Sequence, residues 1–149
     1  MRSQLLAVLA CVTAFSGCMT SPKSGKGFTL PDGNAEVGRE TFISLKCNAC
    51  HKMQGIDQLV LEGLKPQTAV FLGGEVERIK TYGELVTSII NPSHRLVPWY
   101  PKEENSVDGV SKMRNYNDVM TVKQLTDIVT FLETKYKLQH YEPTRYPMY

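Results

Sequence analysis

The sequence lacks a marked excess of charge, a long apolar run and any internal repeat. Its 17 Lys and Arg residues nearly balance 15 Asp and Glu residues, for a formal net charge of +2. A balance this even argues against binding to nucleic acid, which normally requires a strongly basic surface. Apolar residues make up 42% of the chain and charged residues 21%, which excludes a disordered chain and a polytopic membrane protein. The length of 149 residues suits one domain.

Motifs for catalysis are missing as well. The chain has no Ser, His and Asp in a triad order, no carboxylate pair in a supporting context and no glycine-rich nucleotide loop. We therefore expect no enzyme activity and no small-molecule substrate. Cysteine and histidine are scarce, with four and three residues respectively, and their positions carry the functional argument.

Residues 1–17 have the pattern of an export signal. Arg2 supplies the positive charge, residues 5–15 are mostly apolar, and small residues follow. The apolar run is too short to cross a bilayer, which needs about 20 residues. The segment Phe-Ser-Gly-Cys that ends at Cys18 resembles the lipobox of bacterial lipoproteins. That resemblance implies cleavage before Cys18 and attachment of lipid to it, whereas the alternative is a secreted protein in which this cysteine has no role.

The lipoprotein resemblance also implies a location on the periplasmic side of a bacterial membrane. Met19 stands where an Asp would favour retention at the inner membrane, so the outer membrane is favoured. Residues 18–34 are rich in Gly, Ser, Pro and Lys, which predicts a lipidated flexible tether. Residues 35–136 then form the predicted domain, and residues 137–149 form a C-terminal tail.

The motif that carries the chemistry is Cys47-Asn48-Ala49-Cys50-His51. C-x-x-C-H is the pattern for covalent attachment of c-type haem. Two thiols three residues apart lie on nearly the same side of a helical turn, so both reach one edge of a porphyrin. The adjacent imidazole of His51 is then available to bind the iron. The sequence therefore predicts one haem c, bound through Cys47, Cys50 and His51.

Other interpretations of the motif fit less well. A thioredoxin-like C-x-x-C is expected after a strand in a βαβ unit, and no strand pattern precedes Cys47. A structural zinc site needs four ligands, and the chain has no second half-motif. A disulfide between Cys47 and Cys50 leaves the adjacent His51 unexplained.

Helix signals lie on both sides of the motif. Gly38 and Phe42 are four residues apart on a predicted helix, and the segment 82–90 reads as a helix stopped by Asn-Pro. Thr121 and Gln124 fit a capping box at the start of the last helix. The apolar face of that helix consists of Leu125, Ile128, Val129 and Leu132.

Together with C-x-x-C-H, these segments resemble class I cytochromes c over residues 35–135. The resemblance implies an all-α fold, a small cytochrome c fold of three to five helices wrapped around one covalently bound haem. It also implies that Gly38 and Phe42 let the first helix cross the last at close range, with Phe131 against the first helix. It leaves open which backbone carbonyl accepts a hydrogen bond from the ring of His51.

The same resemblance implies a second axial ligand, a methionine shortly before the last helix. Met113 has that placement, and Met120 is the alternative, although it also fits a hydrophobic staple. The rival candidates are His94 and, less favoured, His140. A second histidine would give a centre of lower potential than a methionine would.

The expected function is that of a periplasm-facing, lipid-anchored monohaem cytochrome c that carries one electron between redox proteins. One alternative is a haem enzyme or a gas or redox sensor with a labile sixth ligand, and another is a dedicated subunit of a larger oxidoreductase. The basic residues near the ligand regions are either steering groups for an acidic partner or ordinary solvated charge. They are Lys46, Lys52, Lys112 and Arg114.

Overall fold

The structure is a computed structural model that describes residues 28–62, 70–96 and 101–140. The predicted export signal, Cys18 and most of the tether lie outside the described residues. The same holds for the end of the predicted tail, from residue 141 onward.

Helices form most of the regular structure in the described residues. They are α1 (Ala35–Ser44), α2 (Tyr82–Ile90), α3 (Lys102–Asn105) and α4 (Val122–Glu133), with a 3-10 turn at Cys47–Ala49. None of the described helices has both the length and the apolar character that crossing a membrane requires.

Short strands lie in the segments between the helices and after the last helix. They are β1 (His51–Lys52), β2 (Val70–Phe71), β3 (Gly74–Val76), β4 (Ser106–Val107), β5 (Val110–Ser111) and β6 (Tyr136–Leu138). β1 pairs with β2 and β3 with β6, both in parallel, while β4 and β5 form an antiparallel hairpin. The fold is therefore small and dominated by helices. It is not purely all-α, which differs from the prediction, because it also contains six short strands in the described residues. Long connections contain backbone groups that need partners, and short ladders supply some of them.

The caps of α2 and α4 follow from the local sequence. At α4, the Thr121 side chain accepts from the backbone N–H of Gln124 and the Gln124 side chain accepts from the N–H of Thr121, which confirms the predicted capping box. α2 begins and ends at the predicted residues, and Thr81 with Glu84 forms a second box that the sequence reading did not identify.

α1 crosses α4 at close range, as predicted from Gly38. A Cβ atom at this position would overlap the carbonyl oxygen of Asp127 and lie 2.8 Å from the Cβ of Phe131. The rings of Phe42 and Phe131 pack beside the crossing, with centroids 5.9 Å apart and planes inclined by 57°. Only a residue without a side chain allows the two backbones to approach in this way.

The buried core lies between α1, α2 and α4. The predicted apolar face of α4 is buried in it throughout, which confirms the sequence reading of that helix. The core residues are Phe42, Met53, Leu85, Val86, Ile89, Leu125, Ile128, Val129, Phe131 and Leu132. β6 extends from Tyr136 to Leu138 and so lies across the predicted boundary between domain and tail.

A buried carboxylate joins the beginning of α1 to α4. Asp127 is 1% exposed, and its Oδ1 accepts a hydrogen bond of 2.8 Å from the backbone N–H of Asn34. The Nζ of Lys123 lies 3.0 Å from the Oδ2 of Asp127. The Asn34 N–H, followed by the Lys123 ammonium, holds the pKa of Asp127 below its ordinary value. The sequence pattern did not predict the contact between Asp127 and Asn34.

We expect Gly38→Ala to lower the free energy of unfolding by about 1–3 kcal/mol, the usual cost of extra volume in a packed interface. Gly83→Ala is the matched control, because a Cβ at that helical position meets no atom within 4 Å. That control should be neutral or stabilising by up to about 1 kcal/mol. Urea unfolding followed by circular dichroism measures both variants, and equal effects would contradict the close crossing.

We expect Asp127→Ala to lower the free energy of unfolding by about 1–3 kcal/mol at neutral pH, because it leaves the N–H of Asn34 without its acceptor. The pKa of Asp127 is lower in the folded than in the unfolded state. Its contribution is therefore complete above about pH 4 and is lost as the pH falls through the folded-state pKa.

The measurement is urea unfolding of wild type and Asp127→Ala from neutral to acidic pH. The difference between the two should shrink below about pH 4. Asp127→Asn keeps an acceptor oxygen and should lose less stability at neutral pH. A difference that stays constant with pH would argue against the ionised carboxylate as the stabilising group.

Candidate functional site

The C-x-x-C-H motif begins directly after α1. Lys46 has a left-handed backbone (φ 60°, ψ 30°), which takes the chain out of α1 and into the 3-10 turn Cys47–Ala49. The N–H of Cys50 donates to the carbonyl oxygen of Cys47 over 3.2 Å. Cys47 is half-buried and Cys50 is exposed, and both are free thiols.

The two residues inside the motif are structural. Asn48 and Ala49 are buried. The Nδ2 of Asn48 donates to the carbonyl oxygen of Asp57 (2.9 Å), and the carbonyl of Asn48 accepts from the N–H of Leu59 (3.2 Å). These bonds hold the chain after His51 against the 3-10 turn.

An apolar pocket of about 40 Å³ lies among α1, α2, α4 and the segment that precedes α4. The pocket brings together three of the residues predicted to bind haem: Cys47, His51 and Met113. Cys50 is not among the described lining residues. The lining residues are Phe42, Leu45, Cys47, His51, Leu72, Ile89, Met113, Tyr116, Met120, Ile128 and Leu132.

The imidazole of His51 is held in a state suited to metal binding. Burial lowers its pKa, an effect that the backbone of Val70 opposes only in part. The neutral ring is therefore favoured, and a neutral imidazole is the form that binds metals. Its Nδ1 atom is buried and has no partner in hydrogen-bond geometry among the described residues.

Val70 lies opposite His51 in the β1–β2 ladder. The Val70 backbone favours the protonated ring, but Nδ1 has no partner in hydrogen-bond geometry among the described residues. The carbonyl that would orient the ring therefore stays unassigned. β2 continues through Gly73, where φ is +81°, and the N–H of Gly74 then donates to the carbonyl of Lys135 over 2.8 Å. The strand beside His51 is thus tied to the chain that follows α4.

The environment of Cys47 differs from that of a reactive thiol. Burial, with a smaller effect from nearby Cys50, raises the pKa of Cys47 to about 11. Catalytic and redox-active cysteines have lowered pKa values, because the thiolate is the reactive form. In addition, residues 28–46 contain no strand. Both observations disfavour the thioredoxin-like alternative.

Both methionines predicted as candidates for the second ligand lie in the pocket with His51. Met113 and Met120 are both half-buried and both line the pocket. Met120 also packs against the buried core, as its alternative reading as a staple requires. The structure therefore does not distinguish Met113 from Met120 as the second ligand.

The histidine candidates lie elsewhere. His94 and His140 are exposed, and neither is among the described residues that line the pocket. The Nδ1 of His94 lies 2.8 Å from the carbonyl oxygen of Asn91, at the end of α2. The ring of His94 therefore contacts the C-terminal end of α2 and not the pocket.

Tyr116 is a site residue that the sequence reading missed. Its ring lines the pocket, and its hydroxyl donates to the carbonyl oxygen of Leu45 over 2.9 Å. The available signal was an aromatic residue between Met113 and Met120 in an otherwise polar stretch. Nothing local indicated that its hydroxyl reaches the end of α1.

The four basic residues considered as steering groups are all exposed. Three of them contact other groups of the protein. Lys112 donates to the carbonyl of Glu103, Arg114 lies over the ring of Tyr116, and Lys52 lies over the ring of Phe71. Their charges nevertheless remain at the surface around the motif and the methionine region.

Within residues 28–62, 70–96 and 101–140, no three His, Cys, Asp or Glu side chains are grouped so that they could hold a metal ion. Comparison of the chain with protein-family models, curated proteins and solved structures found no match. Any functional assignment therefore rests on the motif and on the geometry of the pocket.

Proposed function

We propose that the protein is a monohaem c-type cytochrome that carries single electrons between redox proteins. Lipid on Cys18 would hold it at the periplasmic side of a bacterial membrane, with the outer membrane favoured. The observation that carries the proposal is one apolar pocket that collects Cys47, His51 and two methionines. The resemblance of residues 35–135 to class I cytochromes c supports the same function.

The residues present fit a haem c. Cys47 and Cys50 would hold it through two thioethers, and His51 and Met113 would be the axial ligands. Burial favours the neutral ring of His51, the form in which an imidazole binds a metal. When bound, the haem supplies a one-electron couple whose potential depends on the axial ligands and the surrounding polarity.

The chain's own residues tune and protect that couple. Apolar side chains from α1, α2 and α4 line the pocket and keep water away from its interior. A thioether ligand opposite His51 raises the potential relative to a second histidine. If His51 and Met113 both bound the iron, no coordination position would remain for a substrate, which favours electron transfer over catalysis.

Exposed Cys50 suits exchange of electrons with a protein partner. It lies at the surface, whereas Cys47 reaches into the pocket. A haem held by both thiols would therefore have one edge near solvent, where a redox protein can approach. Donor and acceptor are accordingly proposed to be proteins.

We expect the wild-type chain, expressed in a bacterial host that matures c-type cytochromes, to carry one covalent haem. Cys47→Ala combined with Cys50→Ala should abolish covalent attachment, because no thiol remains to form a thioether. Intact-protein mass spectrometry and haem staining after denaturing electrophoresis measure the result.

Cys18→Ser is the matched cysteine control for that experiment. It should keep the covalent haem but lose the lipid, so the protein should move from the membrane fraction to the soluble periplasm. Wild-type protein without covalent haem would refute the proposed function. Unchanged membrane association of Cys18→Ser would refute the anchor alone.

We expect Met113→Leu to remove the methionine-to-iron absorption band in the red and to lower the reduction potential, because leucine fills the volume but cannot bind iron. Met120→Leu should keep both the band and the potential. Visible spectra and a redox titration test the pair. The opposite pattern would assign the ligand to Met120, and absence of the band from the wild-type protein would contradict methionine ligation.

A further inference from the structure

We propose that Tyr116 is a positioning residue that keeps the methionine segment, residues 113–120, closed over the pocket. The inference rests on the proposed function, because the group that it positions is the methionine facing His51. Tyr116 would thereby limit the access of ligands from solution to the metal site.

The hydrogen bond of Tyr116 joins two walls of the pocket. Tyr116 is 8% exposed, and its hydroxyl donates to the carbonyl oxygen of Leu45 over 2.9 Å. Leu45 is the C-cap of α1 and lies two residues before Cys47. One bond therefore links the wall that carries Cys47 to the wall that carries both methionines, across 71 residues of sequence.

The backbone of Tyr116 also shapes the methionine segment. Its carbonyl oxygen accepts hydrogen bonds from the N–H of Val119 (3.0 Å) and of Met120 (2.8 Å). The guanidinium of Arg114 lies 5.2 Å from the centre of its ring, on the neighbouring stretch of chain. Movement of Tyr116 would consequently move Met120 and the chain leading to Met113.

Other hydrogen bonds of the segment are more accessible to water or more local. Asn117 donates to the carbonyl of Ile90 at an exposed position, and the N–H of Met113 donates to the hydroxyl of Ser111 two residues away. An exposed bond competes with water, and a local bond does not attach the segment to another element. The bond between Tyr116 and Leu45 is thus the tie that holds the segment to α1.

Loss of this tie should make the open form of the segment more populated. A ligand from solution that replaces methionine at the iron binds only the open form, so its apparent affinity rises with that population. Removal of one net hydrogen bond corresponds to a factor of about two to ten.

Tyr116→Phe, with Tyr82→Phe as the matched control, tests the proposal. The hydroxyl of Tyr82 is buried, and its removal deletes no hydrogen bond within the described residues. We expect Tyr116→Phe to bind imidazole about two- to tenfold more tightly in the haem-loaded protein. Amide hydrogen exchange of Val119 and Met120 should accelerate by a similar factor, while amides of α4 stay unchanged. Neither effect is expected in Tyr82→Phe.

The outcomes separate positioning from general stability. Equal imidazole affinity and equal exchange in the two variants would overturn the proposal. Faster exchange of all amides by the same factor, α4 included, would mean a loss of global stability and would also overturn it. If the wild-type protein contains no haem, the proposed function fails, and the exchange rates of Val119 and Met120 alone decide whether Tyr116 holds the segment.

Discussion

The close crossing of α1 and α4 at Gly38 is the contact on which the pocket depends. Because Gly38 has no side chain, the backbone of α4 at Asp127 approaches α1 directly. Phe42 and Phe131 then pack against each other. The crossing sets the distance between the end of α1, where Cys47 begins the motif, and the apolar face of α4. A wider separation would displace opposite walls of the same pocket.

Two polar contacts secure this arrangement at its ends. The buried carboxylate of Asp127 holds the N–H of Asn34 at the start of α1. The hydroxyl of Tyr116 holds the carbonyl of Leu45 at its end. Apolar packing alone is not directional, whereas each of these bonds requires a defined distance and angle. Together they fix the position of α1 along α4 and along the methionine segment.

The strand ladders explain why the fold is not purely helical, and they also support the site. β1 contains His51, and its partner β2 places Val70 opposite the imidazole. β3 continues from β2 and pairs with β6, which follows α4. The ladder beside His51 is therefore attached to the C-terminal part of the chain. A helical pattern in the sequence carries no information about such pairs, because their partners are far apart along the chain.

The resemblance to class I cytochromes c implied the close crossing at Gly38. The sequence by itself determined the local features: the span of α2, the capping box and apolar face of α4, and the C-x-x-C-H motif. Each depends on residues within one or two turns of one another, so composition and spacing suffice to recognise it. Only the tertiary structure decided that Cys47, His51 and Met113 line one pocket, that Met120 lines it as well, and that His94 does not. It also revealed the hydrogen bonds of Tyr116 with Leu45 and of Asp127 with Asn34, which join residues 71 and 93 positions apart. Such pairs are brought together by chain reversals and packing, and no local pattern encodes their geometry.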